Sequence, residues 1–206
     1  MSELFPPAAY AREDETPDPQ FYEAPRKVVH IDDPALAALR RLYEEVLPAG
    51  GRLLDLLSSW RSHVPDRLDA ELVGLGLNAE EMADNPHLSY HVVHDVNRDP
   101  RLPFDDESFD GAMCAVSIQY VTQPVRFFQA VRRVLKPAAP FVVTFSNRCF
   151  PTKAVAVWLN TTDAHHVELV QAYFEAAGGW TKPIADNRSP GPDGDPLYAV
   201  WARRAG

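Results

Sequence analysis

Residues 52–63 read RLLDLLSSWRSH, and the apolar run Leu53–Leu57 inside them, broken only by Asp55, constrains the fold most. Gly50-Gly51 precedes the run and Ser58-Ser59 follows it. An apolar run this short between turn signals is a buried strand, parallel to its neighbours and covered on both faces. Its carboxyl end, where the chain turns into a first helix, is where open α/β sheets hold a cofactor. That turn contains no glycine.

The flanking pattern extends the same architecture. Asp33-Pro34 starts a helix, with an N-cap acid followed by proline at the first helical position. Leu36, Leu39, Tyr43 and Val46 or Leu47 give that helix one apolar face, and Pro48–Gly51 ends it. Lys27–Ile31 is a short β-like stretch, and Asp66–Glu71 reads as a short helix or turn. Leu72–Leu77 is a second strand, followed by a short helix capped by Asn78. His91–Asp95 is a third strand, and Phe109–Ile118, continuously apolar, is a fourth. Pro124–Leu135 is an amphipathic helix, Phe141–Phe145 a fifth strand, and Val167–Ala177 a helix ended by Gly178-Gly179. Two last strands, near Trp180–Ile184 and Leu197–Ala202, flank a Pro/Gly-rich loop as in an antiparallel hairpin. Strands alternating with helices and closing in a hairpin define a doubly wound α/β sheet.

The 206 residues suffice for one such domain. Residues 1–25, with five prolines among acids and aromatics, form a flexible N-terminal arm, disordered or draped over the domain. Residues 26–206 are then a single domain, of which 26–48 supply an N-terminal helix or lid. A formal net charge of −9 repels phosphate backbones and anionic lipid headgroups, which argues against nucleic acid and membrane as partners. Cys114 and Cys149 have no metal-like spacing and fit free thiols. The acidic, Pro-broken N-terminus is unlike a signal peptide, so the expected location is cytoplasmic.

The segment LPFDDESFDGAMCAVSIQY at 102–120, followed by RVLKP at 133–137, resembles the class I S-adenosylmethionine-dependent methyltransferases. The likeness is to their small-molecule, type 11-like branch. More closely, the chain is similar to a bacterial and plant subgroup carrying LLDL-SSW-SH-P and FSNR-FPTKAV, with a degenerate glycine motif. The resemblance implies a Rossmann-like, seven-stranded, mostly parallel sheet with an antiparallel last strand and helices on both faces. It also implies S-adenosyl-L-methionine as cofactor and a small-molecule acceptor; oligomeric state stays open.

The resemblance places the cofactor along three strand ends. Asp55 matches the acid that sets the binding loop, or else braces the turn. The family's glycine loop falls on Leu57–Arg61, where Ser58 and Ser59 hydroxyls would meet a carboxylate in place of bare backbone. The ribose-binding acid falls on Gly76, beside Leu77, and Asn78 is the candidate substitute. Asp95 matches the acid that accepts from the adenine amino group, with Val96 supplying backbone and Ala115 completing the set.

Methyl transfer is an in-line displacement whose activation resides in the cofactor, so the protein orients the acceptor and removes its proton. His63 is the first candidate base, against a histidine satisfied by backbone at a helix start. Tyr120 and Gln119 follow the fourth strand, where family members contact methyl or acceptor, although Tyr120 equally fits a packed aromatic. Asn147 and Arg148, with Lys153 nearby, would bind a polar or anionic acceptor, unless Arg148 pairs with a surplus acid. His30 has a lesser claim as a lid residue. His87, His91 and His94 would share a helix face with Asp95 near, but a loop and strand split them, so no metal is expected. Glu44-Glu45 and Glu80-Glu81 read as exposed helix faces, and His165-His166 as a solvated turn. The competing function is a methyltransferase-fold protein without catalysis, acting as a binding or partner subunit.

Overall fold

A computed structural model describes residues 4–65, 68–192 and 194–206. Its centre is strand β1 (Arg52–Leu56), with Leu53, Leu54, Asp55 and Leu56 all buried. The run of leucines is explained by position: β1 pairs in parallel with β2 (Glu71–Gly76) on one side and with β4 (Gly111–Ala115) on the other. With β3 (Tyr90–Val93), β5 (Pro140–Phe145), β6 (Ile184–Asn187) and β7 (Tyr198–Arg203) the seven-stranded order is β3-β2-β1-β4-β5-β7-β6. β7 alone points against the other six strands, pairing antiparallel with β5 and β6. Gly51, at φ +89°, starts the central strand, because a Cβ there would stand 2.6 Å from the Asp110 carboxylate. That carboxylate accepts from Arg52 N at 2.9 Å and ties β1 to the approach of β4.

Helices cover both faces. Helix α1 (Asp18–Phe21) belongs to the arm, and α2 (Asp33–Val46) lays Leu39, Leu42 and Tyr43 against Leu53, Leu72 and Met113. After α3 (Ala79–Ala83), helix α4 (Pro124–Val134), the short α5 (Ala156–Leu159) and α6 (Asp163–Ala177) cover the opposite face. There Phe128 meets Phe174 edge-on at 4.7 Å and Phe141 at 5.2 Å, an aromatic cluster that fixes how α4 and α6 sit on β5.

Several expectations are corrected. No helix follows β1: Leu57 and His63 both take left-handed φ (57° and 55°), and Pro65 disfavours helical backbone before it. The connection is irregular over its described residues; 66 and 67, in the expected Asp66–Glu71 turn, lie outside them, and Glu71 already opens β2. Lys27–Ile31 joins no ladder and bends at His30 and Ile31. Asp32, not Asp33, caps α2, accepting from Ala35 N at 3.0 Å. Strand β4 stops at Ala115, and Ile118–Tyr120 winds into a 3-10 turn. The hairpin's first strand starts at Ile184, and ahead of it Trp180 makes only an isolated antiparallel bridge to Arg204 while its ring packs on Phe174 at 5.2 Å. Helix α6 starts at Asp163, and His166 is buried flat against Trp158 at 3.9 Å.

The arm lies on the domain. Tyr10 is buried in the core, and Asp14 N donates to Thr152 O at 2.8 Å. Lys153, fully buried, donates to Thr16 O at 2.6 Å and Asp14 O at 3.1 Å, and sits 3.4 Å from the Asp18 carboxylate.

Candidate active site at the carboxyl edge of the sheet

Strand order reverses between β1 and β4, and the crevice at that switch point holds a cavity of about 750 Å³, counting its open mouth. Leu57–Ser59 after β1, Gly76–Asn78 after β2 and His94–Asn97 after β3 form its floor. Ser117, Tyr120 and Val121 close the β4 side. The arm with the stretch that follows it, up to His30, roofs it with Asp18, Tyr22, Arg26 and His30, and Phe150 stands at the side. The roof therefore comes from 18–30, whereas α2 packs away on a sheet face.

The glycine-free turn is held by a buried carboxylate. Asp55 accepts from Ser58 Oγ at 2.6 Å and Ser62 Oγ at 2.7 Å, and lies behind the cavity wall rather than in it. Burial pushes its carboxyl up to about 6, while the two hydroxyls pull the other way. Ser58 N donates to Leu75 O at 2.8 Å, which locks the turn onto β2. Ser59 Oγ donates to Glu81 at 2.5 Å. Both serine protons are thus committed to protein carboxylates, and a ligand carboxylate would find only the backbone of this turn free to donate. Leu57 lines the floor without closing the cavity, and Trp60 turns away, its indole donating to Val28 O at 2.9 Å.

At the end of β2, a Cβ on Gly76 would stand 2.2 Å from Ser58 O, so no acid can occupy the position. Asn78 does not replace it: its Nδ2 donates to Tyr22 O at 2.9 Å and Glu23 O at 3.2 Å, and its Oδ1 caps α3 at Glu81 N. The acid that faces the cavity beyond the end of β2 is Glu81, which the sequence pattern assigned to an exposed helix face. It is 5% exposed, accepts from Ser59 and from Arg26 N, and keeps unfilled acceptor positions on a carboxylate that offers about four. The only local signal for it was its place in the first turn of a helix that leaves a strand's carboxyl end.

Asp95 and Val96 both reach the cavity; Asp95 Oδ1 caps the next turn, accepting from Asn97 N at 3.0 Å and Arg98 N at 3.3 Å. Ala115 stops short of the wall, and Ser117, whose hydroxyl donates back to Ala115 O at 2.7 Å, stands there instead.

Tyr120 is in the wall, stacked on Phe150 at 6.1 Å, its hydroxyl accepting from Phe150 N at 2.8 Å. Burial pushes that phenol up to about 12, so it keeps its proton. His63 is not in the wall; burial first, then Arg40, push its imidazole down to about 4. His30 lines the cavity, edge-on to Phe150 at 5.4 Å, and desolvation holds it below the ordinary histidine value. Asn147 and Arg148 are exposed and outside the wall, with Arg148 paired to Asp195 at 3.0 Å. Gln119 is buried, donating to Val116 O at 2.9 Å, and Lys153 anchors the arm. Of the three histidines at 87, 91 and 94, only His94 lines the cavity, and no group of metal-ligating side chains gathers among the described residues.

The fold is that of the class I S-adenosylmethionine-dependent methyltransferases, as the LPFDDESFD and RVLKP segments implied. Residues 59–143 match the family described as the methyltransferase domain. The chain superposes on phosphoethanolamine N-methyltransferase 2 from Haemonchus contortus, in complex with phosphomonomethylethanolamine and S-adenosylhomocysteine, with a TM-score of 0.58 at 13% identity. That match covers 84% of this chain and 52% of the nematode enzyme, so the chain spans about half of that protein's length. A S-adenosylmethionine-dependent methyltransferase from Mesorhizobium loti gives 0.56 at 19% identity, over 82% of this chain and 98% of that one. The [4+2]-cyclase SpnF gives 0.62 at 16% identity, over 90% and 91%. At these identities the likeness is one of fold. No curated protein matches the chain in sequence.

Proposed function

We propose that this protein transfers a methyl group from S-adenosylmethionine to a small-molecule acceptor. The observation that carries the reading is the roofed cavity at the switch point, with Asp95 and Glu81 on its floor and His30 and Tyr120 above. The residues fit the cofactor in chemical kind: Asp95 Oδ2 takes no hydrogen bond from the described residues and is open to an amino group, and Glu81 has free acceptor positions for a diol. When bound, the cofactor supplies an activated methyl on a sulfonium. The chain's part is to hold and to dry the site. The arm excludes water, Tyr120 keeps a phenolic proton to donate to the acceptor, and neutral His30 takes the acceptor's proton. His30 replaces His63 in this role because it stands in the wall.

A roofed cavity suits a small molecule rather than a polymer, and the acidic net charge of −9 points the same way. No helix among the described residues is long and apolar enough to cross a membrane, and a cytoplasmic site of action is part of the proposal. Titration calorimetry of the full chain with S-adenosylmethionine and S-adenosylhomocysteine tests the reading. Micromolar binding of both is expected; binding no tighter than millimolar sinks it. That failure would favour a ligand-binding protein on the same fold, a second reading supported by the committed serines and the missing helix after β1.

A further inference from the structure

The charges in the cavity wall are unequally matched. Asp18 is held by Arg12 at 2.6 Å, by Asn97 at 2.7 Å and by Lys153 at 3.4 Å. Glu81 takes Ser59 and the backbone of Arg26, and Asp95 caps its own turn. Arg26 is the arginine of this wall. Its guanidinium lies 4.0 Å over Phe21 and 5.5 Å from Phe150, and its Nη2 donates to Phe21 O at 3.0 Å. Its Nε is closed to solvent and donates to nothing, and no carboxylate among the described residues pairs with it.

A guanidinium has five N–H donors in a planar fork suited to a carboxylate. Stacking on aromatic faces keeps such a cation in place without neutralising it. A half-buried cation lacking a counterion is the complement of an anionic ligand. The need for one is visible opposite. Class I sites of this topology would offer an anion the first turn of a helix after β1, with its free amides and dipole. Here no such helix occurs among the described residues, and both serine hydroxyls donate to protein carboxylates.

We propose that Arg26 is the anion subsite of this cavity, receiving a ligand carboxylate to which the turn after β1 offers backbone amides but no side-chain donor. The source is either the amino-acid tail of the cofactor, in which case the inference rests on the methyl-transfer reading, or an anionic acceptor. The arm then contributes the cation that completes the site, and does more than roof it.

Calorimetry on the full chain separates these sources. One pair of probes is S-adenosylhomocysteine and its decarboxylated analogue; the other is 4-hydroxybenzoate and its neutral amide. A charge-assisted contact predicts roughly 10- to 100-fold tighter binding of the carboxylate in one pair, a preference that Arg26→Met removes. Loss in the adenosyl pair assigns the cofactor tail, and loss in the benzoate pair assigns the acceptor. Arg26→Lys should keep part of the preference, and the wild-type ratios stand even where Arg26→Met fails to fold. If no adenosine compound binds, the methyl-transfer reading falls while the benzoate pair still decides the subsite. Absence of a carboxylate preference in both pairs, or a preference untouched by Arg26→Met, overturns the inference.

Discussion

The carbonyl oxygen of Ser58 lies 2.2 Å from where a Cβ on Gly76 would stand. The serine turn after β1 therefore leans on the end of β2 so closely that only glycine fits. One departure from the resemblance, the missing glycine turn, is thus coupled to another, the glycine where an acid was expected at the end of β2.

Gly76→Ala should be costly, since the obstructing atom is backbone and Ser58 N is already bonded to Leu75 O at 2.8 Å. Overpacking of this kind costs about 1–3 kcal/mol. Urea unfolding should show a loss near the top of that range; a change within 0.5 kcal/mol, roughly what a surface substitution gives, would contradict the packing.

Glu81→Gln replaces one acceptor oxygen by a donor facing either Ser59 Oγ or Arg26 N. The fold should survive, because α3 is capped by Asn78. Affinity for S-adenosylhomocysteine should fall about tenfold, the order of one charged hydrogen bond. Calorimetry showing unchanged affinity would remove Glu81 from the site.

Two buried groups titrate against one another. Asp55 has a folded value of about 6 against 3.8, so its contribution to stability is present at low pH and is lost as pH rises through about 6. His63 has a folded value of about 4 against 6.5, so its contribution is present above 6.5 and is lost as pH falls through about 4. Each is worth about 3 kcal/mol, and between about pH 4 and 6 they oppose. Wild-type stability should be nearly level there. His63→Gln should unmask stabilisation on acidification, and Asp55→Asn the reverse. Urea midpoints across that range check both; parallel curves for all three proteins would refute the compensation.

Lys153→Met should loosen the arm, because the ammonium it removes is fully buried among Asp14, Thr16 and Asp18. Breaking a buried pair costs about 3–5 kcal/mol, and here the loss should be local to the arm. Hydrogen exchange should quicken at Asp14 N, now bonded to Thr152 O, while β1 and β4 stay protected. Ligand affinity should fall with it, since the arm supplies Tyr22, Arg26 and His30 to the roof. Exchange unchanged at Asp14 would show the latch lies elsewhere.

Local pattern alone determined the central leucine strand, the apolar β4 and β5, and the one-sided helices α2 and α4, since a short continuous apolar run or a 3.6-residue period is visible in a short window. It also placed Asp95 and Tyr120 at strand ends, which this topology brings to one edge. Tertiary structure decided which charges face the cavity. Glu81 meets Arg26 across 55 residues of chain, and Lys153 meets Thr16 across 137, partnerships no window contains. For the same reason His63 and Arg148 looked fit for the site, while burial behind the wall and the contact with Asp195 took them out of it. The sequence set the elements through local apolar runs and helical periods; the site was chosen by which elements came to lie over which.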